Sequence, residues 1–423
     1  MSSLTAAPRA TPGAAPAPVR PGRLSTGSAF YLQVSILVFF LAGSSAPTPL
    51  YSTYQTEWGF SPITVTVVFG VYAVAVLAAL LVFGSLSDHV GRRPVLLAAV
   101  VLQAVTMLVF ATAGGVPELL LARIVQGLST GAAAGALGAG MLDLSKAKGT
   151  IANAVGPMAG TASGAIGSGL LVQFLPAPTH LVYLVLFAIF VLQAIGVALM
   201  PESVTRKPGA LASLRPRFGL PPVVRRPLLI GVPALVAVWA LAGFYGSLGP
   251  TVVRLVTGSG SLLLGGLALF AVAGTGGVSV LFLRTVPPRT VMLLGMVALV
   301  AGVGVTLLAI SLPAGTAAST ATLFAGMIVA GVGFGGGFQG ALRTVIPLAE
   351  PHERAGVLST AYVVCYLAMG LPAVVAGVLV VHGGGVLITA REYGVAIMVL
   401  AALALLGLAR QGRRTPALAP DTR

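Results

Sequence analysis

Long apolar runs separated by short polar breaks account for most of this chain. A helix crossing a bilayer needs roughly 20 apolar residues, and the sequence offers twelve such windows: Phe30–Leu50, Ile63–Phe83, Val95–Ala113, Leu119–Leu142, Thr150–Phe174, Leu181–Met200, Leu228–Leu248, Leu262–Phe282, Val291–Ile310, Ala317–Leu342, Val357–Val381 and Tyr393–Leu408. Each run is unbroken, whereas a membrane β-barrel would show short segments of alternating polarity. The pattern therefore predicts an all-α membrane protein of twelve transmembrane helices.

The longest polar break, Pro201–Pro227, divides these runs six and six. It predicts two pseudo-symmetric six-helix bundles, residues 29–201 and 228–410. A central loop (202–227) joins them, with tails at 1–28 and 411–423. The loop after the second run of each half can be compared directly. Setting Val95 against Val291 aligns DHVGRRPVLL (88–97) with RTVPPRTVML (284–293). Hairpin length is kept, but Arg284 stands opposite Asp88 and Pro287 opposite Gly91. Transporters built from two such halves bind substrate between them near the membrane midplane.

Composition agrees with a lipid solvent: 57% of residues are hydrophobic, 8% are charged, and the mean hydropathy is +1.01. The formal net charge of +15 raises the question of nucleic acid, but its distribution answers it. With both termini cytosolic, basic residues gather in the tails, the hairpins and the central loop, and only Arg254 and Arg391 fall outside. That is the positive-inside rule. It predicts a multi-pass protein of the cell membrane; separately, the expected partners are lipid and a small-molecule substrate, with no nucleic acid, and the expected state is a monomer. The single cysteine, Cys365, excludes an internal disulfide. His89, His180, His352 and His382 sit in different loops without metal-ligand spacing, which argues against an enzyme. Neither a metal nor another cofactor is expected. Residues 1–28, rich in Pro, Ala, Ser and Arg, predict a disordered tail.

The densest charge lies in GSLSDHVGRRP (84–94), where Asp88, Arg92 and Arg93 fall within six residues. This stretch resembles the loop between the second and third helices of the major facilitator superfamily, G-x-L-[small]-D-x-x-G-[RK]-[RK]. The likeness in helix number, central loop and motif position covers about residues 30–410. It implies a moving latch. Gly84 permits close helix approach, Gly91 a positive φ, and Asp88 would cap the start of the eleventh helix near Gly356–Val357 in the outward-facing state. Arg92, beside Arg93, would pair with Asp143 at the inner end of the fourth helix.

Arg123 is the one charged residue within the runs as drawn, and a charge at membrane depth is a functional candidate. Arg123, Gly127, Gly131 and Gly135 form an i, i+4 stripe facing a neighbouring helix or cavity. LLLARIVQGLSTGAAAG (119–135) resembles the superfamily's fourth-helix motif, linked to proton transfer and gating, through Arg123, Gln126 and Gly127. Gly156-Pro157-x-x-Gly160 resembles the fifth-helix motif of drug and metabolite antiporters. No run carries an acid at mid-depth, which leaves Glu57 and Glu118 outside and Asp88 and Asp143 inside, together with Arg123, as coupling candidates. A substrate cation would lack a counter-charge there, so a neutral or anionic apolar substrate is expected.

Polar and aromatic residues within runs are the cavity candidates: Gln33, Ser44, Tyr72, Gln126, Tyr245, Gln339, Tyr362 and Tyr366. Six glycines in GVGFGGGFQG (331–340) predict a hinge in the tenth helix. PES at 201–203 resembles the start of the sugar-porter signature but lacks its following proline and arginine. The expected function is alternating-access, proton-coupled efflux of small apolar compounds. Solute uptake is the alternative, and a non-transporting receptor or scaffold of the same fold a further one.

Overall fold

A computed structural model describes residues 22–216, 218–350 and 352–412. Its twelve spanning helices are α1 (Thr26–Ser45), α2 (Pro62–Phe83), α3 (Arg92–Ala111), α4 (Val116–Leu144), α5 (Lys146–Phe174), α6 (Pro178–Leu199), α7 (Pro222–Ser247), α8 (Leu262–Phe282), α9 (Pro288–Ser311), α10 (Ala317–Val345), α11 (Arg354–His382) and α12 (Val386–Gly412). Prolines in the first turn open α2, α4, α6, α7 and α9, where the missing N–H would find no helical partner. Side-chain caps open others: Ser25 accepts from the Ser28 amide at α1, and Thr316 from that of Ser319 at α10.

The boundaries depart from the hydropathy pattern where polar residues begin or interrupt a helix. The first helix starts at Thr26, inside the segment expected to be disordered; residues 1–21 lie outside the described residues, as do 413–423. It stops at Ser45, because Pro47 and Pro49 cannot continue it, and the chain resumes as a short helix, Tyr51–Trp58. Helix α7 begins at Pro222 within the expected central loop and takes in Arg225 and Arg226. Helix α12 begins at Val386, so Arg391 and Glu392 join Arg123 inside a spanning helix. The Arg391 guanidinium caps the end of α9 by donating to the Ile310 carbonyl at 3.3 Å.

Each six-helix half has its own apolar core. The halves meet along two helix pairs, α2 with α11 and α5 with α8. At the first pair, Phe69, Tyr72, Ala73 and Val76 pack on Met369 and Ala373. Near the end of the bundle opposite the 84–94 hairpin, the Thr48 hydroxyl donates to the Gly246 carbonyl at 3.1 Å, and Gln173 accepts from the Leu262 amide at 3.1 Å. A Cβ at Gly377 would collide with Thr66. Helices α2 and α11 thus pack closely from Thr66–Gly377 to Tyr72–Met369, away from the hairpin.

The glycine run in α10 packs rather than bends. The helix is continuous from Ala317 to Val345. Cβ atoms at Gly333 and Gly340 would strike the backbone of α9 at Leu299 and Met292, and one at Gly335 the α8 backbone at Gly276. These glycines let three helices approach to backbone contact, which is dispersion packing in a solvent offering little hydrophobic drive between helices.

Candidate functional site

Gly91 is the pivot of the hairpin. It has φ +105°, a conformation glycine alone adopts cheaply. It is also the residue before α3, so it has no side chain to cap that helix. The cap comes from 110 residues away: the Glu202 carboxylate accepts from the amides of Arg92 at 2.9 Å and Arg93 at 3.1 Å. A Cβ on Gly91 would lie 2.5 Å from Glu202 Oε2. The glycine therefore provides both a turn and room for a carboxylate at the positive end of the helix dipole.

The Arg92 side chain, 8% exposed, gathers the other charges. Its Nε donates to Asp143 Oδ2 at 3.2 Å, and its Nη1 to Asp88 Oδ1 at 2.5 Å and Ser87 Oγ at 2.7 Å. Ser203 donates to the same Asp143 oxygen at 3.3 Å. Arg93 serves differently, donating to the Ala198 carbonyl at the end of α6. Asp88 is bonded to Arg92 rather than to the start of α11, and its side chain is 54% exposed. Instead, the central loop covers the hairpin. The Lys207 amide donates to the His89 carbonyl at 2.9 Å, and Ser85 Oγ to the Ser213 carbonyl at 3.0 Å.

Arg123 lies fully buried in the first half. Its Nη1 donates to the Ser44 carbonyl at 2.8 Å and Gln126 Oε1 at 2.7 Å, while Nε and Nη2 both reach the Tyr51 hydroxyl. Gln126 in turn donates to the Gly43 carbonyl at 3.0 Å. Both carbonyls belong to the last turn of α1, whose orphan acceptors and negative dipole end partly offset the charge. Rings of Tyr51, Tyr72 and Phe110 lie within 5.7 Å of the guanidinium carbon. No carboxylate among the described residues is paired with it. Glu57 and Glu118 are both exposed, on the short helix after α1 and in the first turn of α4. Its stripe mates Gly127, Gly131 and Gly135 with α2.

In α5, the small stripe faces α1: Cβ atoms at Gly160 and Gly164 would strike Val38 and Ala42 carbonyls, and Gly156 meets Leu37. Pro157 is accommodated within a continuous helix. Its opposite face, with Met158 and Ala165, touches α8. The helix is thus held between its own half and the other.

The remaining candidates divide. Ser44 and Gln126 belong to the Arg123 cluster. Tyr72, Tyr366 and, one turn further along α11, Tyr362 gather at the seam between the halves. Gln33, Tyr245 and Gln339 turn into helix contacts instead, with Met200 Sδ, the Thr306 hydroxyl and the Val280 carbonyl. The sequence reading missed Glu202, Tyr51, Phe338 and Trp239. Trp239 lies edge to face with Phe338 at 5.6 Å and Tyr366 at 5.0 Å, and its indole N–H is buried without a partner. Its signal was there: it is one of two tryptophans, in the middle of an apolar run. Glu202 belonged to the PES tripeptide, set aside with the sugar-porter signature.

Twelve spanning helices in two halves, with a charged hairpin at one end and a buried arginine in the first half, define a multi-pass membrane protein with the two-bundle architecture of transporters. A profile of the Major Facilitator Superfamily matches residues 34–316, two-thirds of the chain, and the protein belongs to that family. Similar solved structures include a mutant of the nucleoside transporter NupG, at 14% identity and TM-score 0.67, covering 91% of this chain and 99% of that one. Another is a bacterial homologue of the human lysosomal transporter Spinster in an inward-facing, unoccupied conformation, at 13% identity and TM-score 0.73, covering 93% and 99%. At these identities the likeness shows the fold. No curated protein matches the chain.

Proposed function

We propose that the protein is an alternating-access exporter of the cell membrane, using the proton gradient to expel small apolar compounds that are neutral or anionic. The observation that carries this reading is electrostatic. The interior holds a buried guanidinium with no paired carboxylate among the described residues, and the seam beside it is aromatic. Such an interior repels a cation and accommodates a neutral or negative apolar molecule. The resemblance of Gly156-Pro157-x-x-Gly160 to the antiporter motif supports export.

With the basic hairpin end on the cytosolic side, the close packing of the halves at the far end faces out, which supports an inward-facing reading. Asp88, half-exposed and bonded to Arg92 through one oxygen, is then the latch residue that would change partner to the start of α11 when the halves rock. The test is a screen of apolar compounds in inverted vesicles loaded with a pH-sensitive dye. Substrate-triggered proton release is expected. Efflux without a pH response would overturn proton antiport, and accumulation in the opposite direction would overturn export.

A further inference from the structure

The seam holds an aromatic group from both halves: Tyr72 on α2, Trp239 on α7, Phe338 on α10 and Tyr366 on α11. We infer that Trp239 is the binding platform of the substrate site, and that its ligand is a planar aromatic molecule, neutral or anionic, with a hydrogen-bond acceptor at its edge. This rests on the exporter reading for its setting but on separate observations for its chemistry.

Three observations converge. First, Trp239 is partly buried, and no ring among the described residues stacks flat on it. Its neighbours Phe338 and Tyr366 stand at 68° and 60° to its plane. A flat ligand is the shape that such an indole surface takes up by offset stacking. Second, the Trp239 N–H is buried and unpartnered. A buried donor is normally satisfied, so an acceptor on the ligand completes it. Third, the Arg123 guanidinium carbon lies 5.3 Å from the Tyr72 ring centroid. That positive charge stands behind the tyrosine that packs with Trp239 at the seam. It opposes a cationic ligand and tolerates a neutral or negative one.

The chain's two tryptophans make this measurable. Trp58 stacks on Tyr54 at 4.6 Å, and Trp58→Phe keeps a ring in that stack while leaving Trp239 as the single emitter. Purified W58F protein in dodecyl maltoside micelles is titrated with flavone (planar, neutral), 2-naphthoate (planar, anionic), 1-adamantanol (apolar, not planar) and ethidium (planar, cationic), with absorbance correction. Saturable quenching by flavone and 2-naphthoate, and none by the other two, is expected. No saturable quenching by the first pair, or equal saturable quenching by 1-adamantanol or ethidium, overturns the inference.

In the otherwise native protein, W239F keeps the ring and removes the donor. Flavone affinity by equilibrium dialysis should fall about tenfold, the effect of one hydrogen bond. Unchanged affinity overturns the donor role. Flavone bound but never expelled from vesicles would refute the exporter and leave this site standing. Flavone expelled at an unaltered rate and affinity by W239F would do the reverse.

Discussion

Removing the Glu202 carboxylate is the sharpest test of how the hairpin is held. Glu202→Ala strips the acceptor from the Arg92 and Arg93 amides, at 2.9 and 3.1 Å, while leaving the sequence of α3 unchanged. Losing a helix cap costs about 0.5–2 kcal/mol. Losing a negative charge at the helix N-terminus costs about 0.3–1 kcal/mol more, and the lower part of that range applies because Glu202 is only partly buried. Together these give roughly 1–2.5 kcal/mol, or about 0.7 to 1.8 decades in the opening equilibrium of the first turn of α3. Hydrogen–deuterium exchange reads this directly. Peptides covering 86–97 should exchange about 5- to 70-fold faster in the variant. Peptides from the middle of α4 should not change. Glu202→Gln, which keeps one acceptor oxygen and loses the charge, should fall between. Unchanged protection at 86–97 in Glu202→Ala would show that the cap does not hold the hairpin, and the account of Gly91 would fall with it.

Other substitutions separate the remaining claims. Asp88→Asn should cut substrate flux in vesicles severely while thermal stability and membrane insertion stay unchanged; near-normal flux would refute the latch. Arg123→Lys should lower Tm at least as much as Arg123→Met, because lysine keeps a buried charge and loses the planar fork that holds Tyr51, Gln126 and Ser44 together. A lysine variant as stable as the native protein would contradict this. Gly164→Ala should destabilise strongly by prising α5 from the Ala42 backbone. Gly167→Ala in the same helix meets open space and should be neutral or stabilising by about 0.5–1 kcal/mol, as read by thermal melts of the two variants.

The sequence made the twelve spans legible because hydropathy over 20 residues is a local property, and the hairpin legible because its spacing is short. Its failures share a physical cause. Hydropathy penalises Arg391 and Glu392, so the start of α12 was placed seven residues late, although Arg391 there caps another helix. The break after Ser45 was hidden because APTPL is apolar, and hydropathy does not register that proline lacks a donor. Glu202 and Trp239 act through contacts across 110 and 127 residues, which no local pattern can encode. The α10 glycines illustrate the converse. Local composition allowed hinge or close packing, and only the neighbouring α8 and α9 backbones decided between them.

The two halves together explain why the hairpin chemistry is confined to one of them. Arg93 and Arg289 are repeat counterparts when Val95 is set against Val291, and they do the same thing. Arg93 donates to the Ala198 carbonyl near the end of α6, and Arg289 to the Leu408 carbonyl near the end of α12 at 3.1 Å. The shared arginine is therefore an anchor within each half, not part of the latch. The second half is completed in the same neutral way: Arg343 in α10 donates to the Leu283 carbonyl after α8 at 3.3 Å. A backbone carbonyl at a helix end cannot leave its helix, so it offers a guanidinium one position and no alternative. Carboxylates on side chains can exchange partners. Asp88, exposed and bonded through one oxygen, has acceptor capacity to spare. A two-state gate would need an element with two partners of comparable energy, and of the two hairpins only the first carries a side-chain carboxylate to serve as one.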